Sequence, residues 1–165
     1  MLLKNFTFTK DDSMFAVIRI RGSVGLKREV KDTLKMLRLN APNNCVIIPE
    51  SKDYKGMLEV VKDCVTWGEI DKDTLIELLK KRLRLRGNKR VDEKILKEVT
   101  DFDSFENFAE EILAGKIKLK DFEELQPFFR LTPPSKGFKS VKEFWPKGDL
   151  GYRGKEINEL LRRMI

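Results

Sequence analysis

The stretch Phe15-Ala16-Val17-Ile18-Arg19-Ile20-Arg21-Gly22 decides how the first half of the chain folds. It is rich in β-branched and apolar residues and closes on a glycine, so it reads as a strand. Period 2 sends Ala16, Ile18 and Ile20 to one face and Val17, Arg19 and Arg21 to the other. On this reading one face packs on a core and the other offers two guanidinium groups. Their permanent charge and planar fork match phosphate or carboxylate.

Downstream of this strand, Gly22-Ser23-Val24-Gly25 is a flexible turn. A helix is expected from about Lys27 to Leu39, because Val30, Leu34 and Leu37 recur at i, i+4 and i+7. Asn40-Ala41-Pro42-Asn43-Asn44 stops it, and Cys45–Ile48 is a second, continuously apolar strand. Ser51 is placed to cap a second helix that runs to about Asp63 with Met57, Leu58 and Val61 on one face. Cys64-Val65-Thr66-Trp67-Gly68 is the third strand. The order β-α-β-α-β predicts an α+β fold: a three-stranded antiparallel sheet with two helices on one side, similar to the split β-α-β arrangement.

After residue 70 the pattern becomes helical and rich in loops. Asp71 and Asp73 open a helix whose stripe is Leu75, Ile76, Leu78 and Leu79. Short helices follow at about Val91–Val99 and Ser104–Leu113, with Asp103 three residues before Glu106 as a capping-box pair. A third is expected over Leu119–Leu125, then an extended segment Pro127–Phe138, and a last helix from Lys155 to the end. The expected organisation is a core over 1–70 and a helical extension over 71–165.

The 165 residues carry 34 bases against 27 acids, a net charge of +7, which favours polyanionic partners. The bases are clustered. Lys80-Lys81-Arg82-Leu83-Arg84-Leu85-Arg86-Gly87-Asn88-Lys89-Arg90 holds seven bases and no acid. Compensating a helix C-terminus explains one or two of these, not seven. Leu83 and Leu85 alternate with Arg84 and Arg86, so the segment is expected to anchor on the core while its arginines face out. A second patch is Lys136-Gly137-Phe138-Lys139 with Lys142, where an aromatic between bases suits an unpaired nucleotide or, equally, a core position. A third is Lys147, Arg153 and Lys155 in a glycine-rich loop. Trp67 and Trp145 are expected in the core.

Several classes of chemistry are disfavoured. The chain has no histidine, which removes the commonest general base, the Ser-His and Cys-His pairs and the common zinc sites. Cys45 and Cys64, the two cysteines, are expected as buried thiols rather than a disulfide framework. There is no Walker A sequence, and Gly148-x-x-Gly151-x-x-Gly154 lacks the dinucleotide spacing. Glu110 and Glu111 read as a solvated helix face. An enzyme, a cofactor, a metal and a small-molecule substrate are therefore not expected. No apolar run reaches the roughly 18 residues of a membrane span, and the first residues lack a signal-peptide pattern, so a cytoplasmic protein is expected.

Several motifs taken together resemble the large ribosomal subunit protein L thirty family. They are Arg19-Ile20-Arg21-Gly22-x-x-Gly25, Thr33-Leu34-x-x-Leu37-x-Leu39 and Gly56-Met57-Leu58-x-x-Val61-Lys62-Asp63-x-Val65. Thr66-Trp67-Gly68-Glu69-Ile70, Gly148-Asp149-Leu150-Gly151-Tyr152-Arg153 and Glu156-Ile157-Asn158-x-Leu160-Leu161-Arg162-Arg163-Met164 resemble the long archaeal form, which is similar to eukaryotic L seven. The resemblance covers about Met14 to Ile165, with no fixed motif over 91–125. It implies a ferredoxin-like core with an archaeal-type extension and a structural role on large-subunit (23S-type) ribosomal RNA. It also implies a contact with 5S RNA in archaeal members and neighbouring ribosomal proteins as partners. Arg19, Arg21 and Arg28 fall in the family's basic strand and turn, and Lys27 and Arg28 substitute for a base that short members carry where Leu26 stands. Two other readings compete. A free RNA binder with an RNA-recognition-motif-like sheet calls for paired aromatics on the central strands. A ferredoxin-like small-molecule sensor leaves the seven-base run unexplained.

Overall fold

The computed structural model describes residues 13–165. Strands β1 (Met14–Arg19), β2 (Asn44–Pro49) and β3 (Val65–Glu69) alternate with helices α1 (Arg28–Met36) and α2 (Lys52–Val61), as the periodicities require. β1 lies in the middle and pairs antiparallel with β2 and β3. Helix α1 ends earlier than its apolar stripe suggests, because Arg38 takes a left-handed backbone (φ 62°) that turns the chain away. Ser51 caps α2 as expected, its Oγ accepting from the Tyr54 N–H at 3.3 Å.

The sheet has five strands, not three. β4 (Phe129–Arg130) adds antiparallel to β2, and β5 (Gly151–Tyr152) adds parallel to β3, giving the order β4-β2-β1-β3-β5. Two-residue strands are too short to show a period, and they cover the edges that a three-stranded sheet leaves unpaired.

The extension supplies α3 (Lys72–Arg82), α4 (Glu93–Thr100), α5 (Phe105–Leu113) and α6 (Ile157–Met164). Over Leu119–Leu125 only a 3-10 turn forms, Leu119–Asp121. The cap of α5 is Ser104 rather than Asp103, with the Asn107 N–H donating to its Oγ.

Both faces of the sheet are buried, and this decides what the first strand does. Phe15 and Val17 lie with Val46, Ile48, Val65 and Trp67 against Leu34, Leu58 and Val61 of α1 and α2. Ala16, Ile18 and Cys45 lie on the other face against Leu75, Leu78, Phe108, Ile157 and Leu160 of the extension. That second face carries small residues at Ala16, Cys45 and Gly68. Gly68 stands opposite Ala16, and a Cβ at Gly68 would sit 1.9 Å from the Gly154 carbonyl oxygen. The missing side chain is what lets the turn before α6 reach the sheet. Asn158, also buried, ties the same corner: its Nδ2 donates to the Glu69 and Lys155 carbonyls, and its Oδ1 accepts from the Asp71 N–H at 2.9 Å.

Candidate nucleic-acid interface

Arg19, expected on an open face, is 3% exposed. Its Nη1 donates to the Leu39 carbonyl at 2.7 Å, its Nε to the Arg21 carbonyl and its Nη2 to Ser23 Oγ. Burial pulls its pKa below the ordinary arginine value, and the guanidinium organises the turn after β1. Arg153 is equally internal. Its Nε donates to Thr66 Oγ1, its Nη2 to the Asp149 carbonyl and carboxylate at 2.8 and 2.9 Å, and its guanidinium lies 4.8 Å from the Trp145 ring centroid. Burial lowers its pKa, opposed by the Asp149 carboxylate. The alternation of β1 separates two faces, but it carries no record of later chain that covers the second one.

Most of the other candidate bases reach solvent on turns or at element ends. Arg21, Lys27 and Arg28 are exposed around the loop before α1. The one partner of Arg28 among the described ion pairs is Asp32 at 3.7 Å, both side chains largely in water, an arrangement worth little. Lys136 projects from a left-handed turn (φ 67°) that Arg163 fixes by donating to the Ser135 and Gly137 carbonyls. Lys139 is exposed and its Nζ lies 4.8 Å from the Trp145 ring, on which Arg153 also packs. Lys147 and Lys155 are exposed on the loops flanking β5. Phe138 is half-buried against the core, and Trp67 is in the core.

The run from Lys80 to Arg90 divides into two parts. Lys80 and Lys81, at the end of α3, pair with Glu106 (2.7 Å) and Glu77 (2.8 Å). Those carboxylates come from α5 and from one helical turn earlier, so the acid-free stretch is not acid-free in space. Beyond Leu83 the chain turns back on itself. The Leu85 N–H donates to the Lys89 carbonyl and the Asn88 N–H to the Leu85 carbonyl, with Gly87 and Asn88 both at positive φ. Leu83 is buried and Leu85 packs on the core next to Leu125, as the alternation requires. Arg86 and Lys89 are exposed at the tip and Arg90 at the root, and none forms an ion pair among the described residues.

A different surface carries the opposite sign. A recess of about 370 Å³ beside β5 is lined by Phe15, Trp67 and Tyr152 together with Glu50, Glu59 and Glu69. Lys55 and Ser13 bond the Glu50 carboxylate and hold its pKa below the usual range. Tyr152 donates to Glu69, and its phenol is pushed up to about 12 by that bond and by burial. This side of the molecule is unsuited to phosphate. Among the described residues no group of carboxylates and thiols is arranged to hold a metal ion, and no helix is long and apolar enough to cross a membrane.

The site is thus set on a split β-α-β sheet, sealed on both faces and wrapped by an extension that carries bases on its turns. A family model described as Ribosomal protein L30p/L7e matches residues 15–65. Similarity continues through the extension. The large ribosomal subunit protein uL30 of Archaeoglobus fulgidus is 50% identical over 151 residues, spanning 92% of this chain and 99% of the relative. That of Methanococcus maripaludis is 51% identical over 154 residues, with the same coverage. That of Thermoplasma volcanium is 48% identical over 153 residues, spanning 92% of this chain and 93% of the relative. The chain belongs to the L30p/L7e family of ribosomal proteins.

Proposed function

We propose that this chain is a structural component of the large ribosomal subunit that binds and stabilises its 23S-type RNA, with contacts to 5S RNA and to neighbouring subunit proteins, in the cytoplasm. The names of its archaeal relatives support the assembly. The observation that carries the RNA contact is the hairpin, where Arg86 and Lys89 at the tip and Arg90 at the root project without carboxylate partners among the described residues. Arg21, Lys27, Arg28, Lys136, Lys139, Lys147 and Lys155 extend the contact along other loops. The mechanism is binding without turnover. Each base that meets a phosphate releases condensed counterions, so affinity falls steeply with salt. Folded RNA is recognised by shape and by its backbone, which turns on a rigid scaffold can follow. The buried sheet faces leave an RNA-recognition-motif-like mode with no platform among the described residues.

Sucrose-gradient fractionation of native extract at low and high salt tests the assembly. Stoichiometric migration with the large subunit is expected, and a peak confined to light, RNA-free fractions would overturn the reading. Replacing Arg86 and Lys89 by Gln tests the contact. The slope of log affinity for large-subunit RNA against log salt should flatten by about 1 for each lost phosphate contact. An unchanged slope with an intact circular dichroism spectrum would remove the hairpin from the interface.

A further inference from the structure

At the root of the same hairpin three arginines face one another. Arg84 and Arg90 are bridge partners on antiparallel segments, and directly opposed side chains of such a pair lie roughly 5 Å apart. Arg82 precedes Arg84 by two residues and donates to the Arg130 carbonyl at 3.4 Å. Like charges set opposite each other destabilise a strand pair, so this arrangement works against its own hairpin. Among the described residues none of the three forms an ion pair. Burial, and after it the charges of Arg90 and Arg82, lower the pKa of Arg84. Arg84 Nη1 is also buried without a hydrogen-bond acceptor among the described residues. A buried donor left unmade is costly, and more so when the group is charged. Such a donor inside a cluster of one sign calls for an explanation.

We infer that Arg82, Arg84 and Arg90 form an anion site that takes a phosphate group, with the half-buried guanidinium of Arg84 as its innermost group. The fork of a guanidinium matches a phosphate's oxygens, and one dianion or bridging diester offsets the repulsion among three cations. A backbone phosphate of RNA is the expected source, and that assignment rests on the RNA-binding reading above. The chemistry of the site does not: inorganic phosphate presents the same oxygens.

The test uses the full chain and inorganic phosphate at constant ionic strength, with chloride as the matched control. Phosphate should raise the unfolding midpoint in a saturable way that chloride does not reproduce. The side-chain nitrogen resonances of Arg84 should shift along the same binding curve. Arg84→Gln and Arg90→Gln should each weaken phosphate by on the order of tenfold or more, the scale of a charge-assisted bond. Arg84→Lys keeps the charge and loses the buried fork, and should also weaken it. No stabilisation beyond chloride, or full phosphate affinity in Arg84→Lys and Arg84→Gln, overturns the site. If either variant fails to fold, the wild-type Arg84 resonance decides, and a resonance that stays still under saturating phosphate overturns the site. The source is read separately, from binding of large-subunit RNA to the wild-type chain. Competition by phosphate beyond its ionic strength assigns the site to the RNA backbone. RNA binding indifferent to phosphate, with the midpoint shift intact, assigns it to free phosphate. A chain that takes phosphate but not RNA overturns the ribosomal reading while leaving the site.

Discussion

Asp149 and Arg153 lie as deep as the leucines around them, with side chains 1% and 2% exposed, 2.9 Å apart. Such a pair gains little over an apolar substitute, but removing one member strands the other. Asp149 also accepts the Lys139 N–H, so it joins the loop carrying Lys139 to the turn after β5. Asp149→Asn should therefore cost about 3–5 kcal/mol, roughly 10 °C in the midpoint of a chain this long. A thermal melt within about 2 °C of wild type would show that the charge is not needed there. Tyr152 makes a second prediction at this scale. Its pKa of about 12 in the folded chain exceeds the ordinary phenol value near 10. The protonated phenol is thus favoured by folding: its contribution is complete below pH about 10 and is lost as pH rises through about 12. A spectrophotometric titration should show one phenol ionising near pH 12, absent in Tyr152→Phe and shifted downward in Glu69→Gln. The same transition surviving in Tyr152→Phe would assign it to another group.

Among the elements, Gly68 in β3 has the sharpest demand. A methyl there meets backbone, not a flexible side-chain end, so the turn Gly154–Glu156 and α6 must withdraw. Gly68→Ala should cost about 1–3 kcal/mol by overpacking. The loss should localise: amide exchange should speed up in α6 before it does in β1. Uniform acceleration, or none, would mean that the turn does not rest on Gly68. The elements also differ in how legible they are in the sequence. β1 to β3 with α1 and α2 follow from local periods, and Ser51 announces its helix by side-chain chemistry alone. β4 and β5 are invisible because two residues have no period and their pairing is fixed by chain far away in sequence. The hairpin is legible as a basic turn anchored by Leu83 and Leu85. Which of its bases find carboxylates is not, since Glu106 arrives from a different helix. Arg19 and Arg153 look like surface groups for a related reason: the sequence near them shows charge, whereas the Leu39 carbonyl and the Thr66 hydroxyl that help hold them inside come from 20 and 87 residues away.

For the whole molecule, the central question is whether residues 1–70 hold together without residues 71–165. The face of Ala16, Ile18 and Cys45 is covered by α3, α5 and α6, and the Cys45 thiol, wholly buried, has its pKa pushed well up. Once the extension is removed that face meets water, and β2 and β3 each lose an edge partner. An exposed apolar sheet face with open edges favours association. Residues 1–70 expressed alone should bind a hydrophobic dye, self-associate, and react rapidly with a thiol reagent at Cys45. In the full chain Cys45 and Cys64 are buried and should react only as fast as the protein opens. A monomeric 1–70 fragment with cooperative unfolding and a protected Cys45 would instead make the β-α-β-α-β unit an independent domain, with the extension an addition to its surface. The small residues at positions 16, 45 and 68 argue against that outcome. They shape a face to be filled at close range by helices from the same chain, so the extension that presents the arginine hairpin also completes the core.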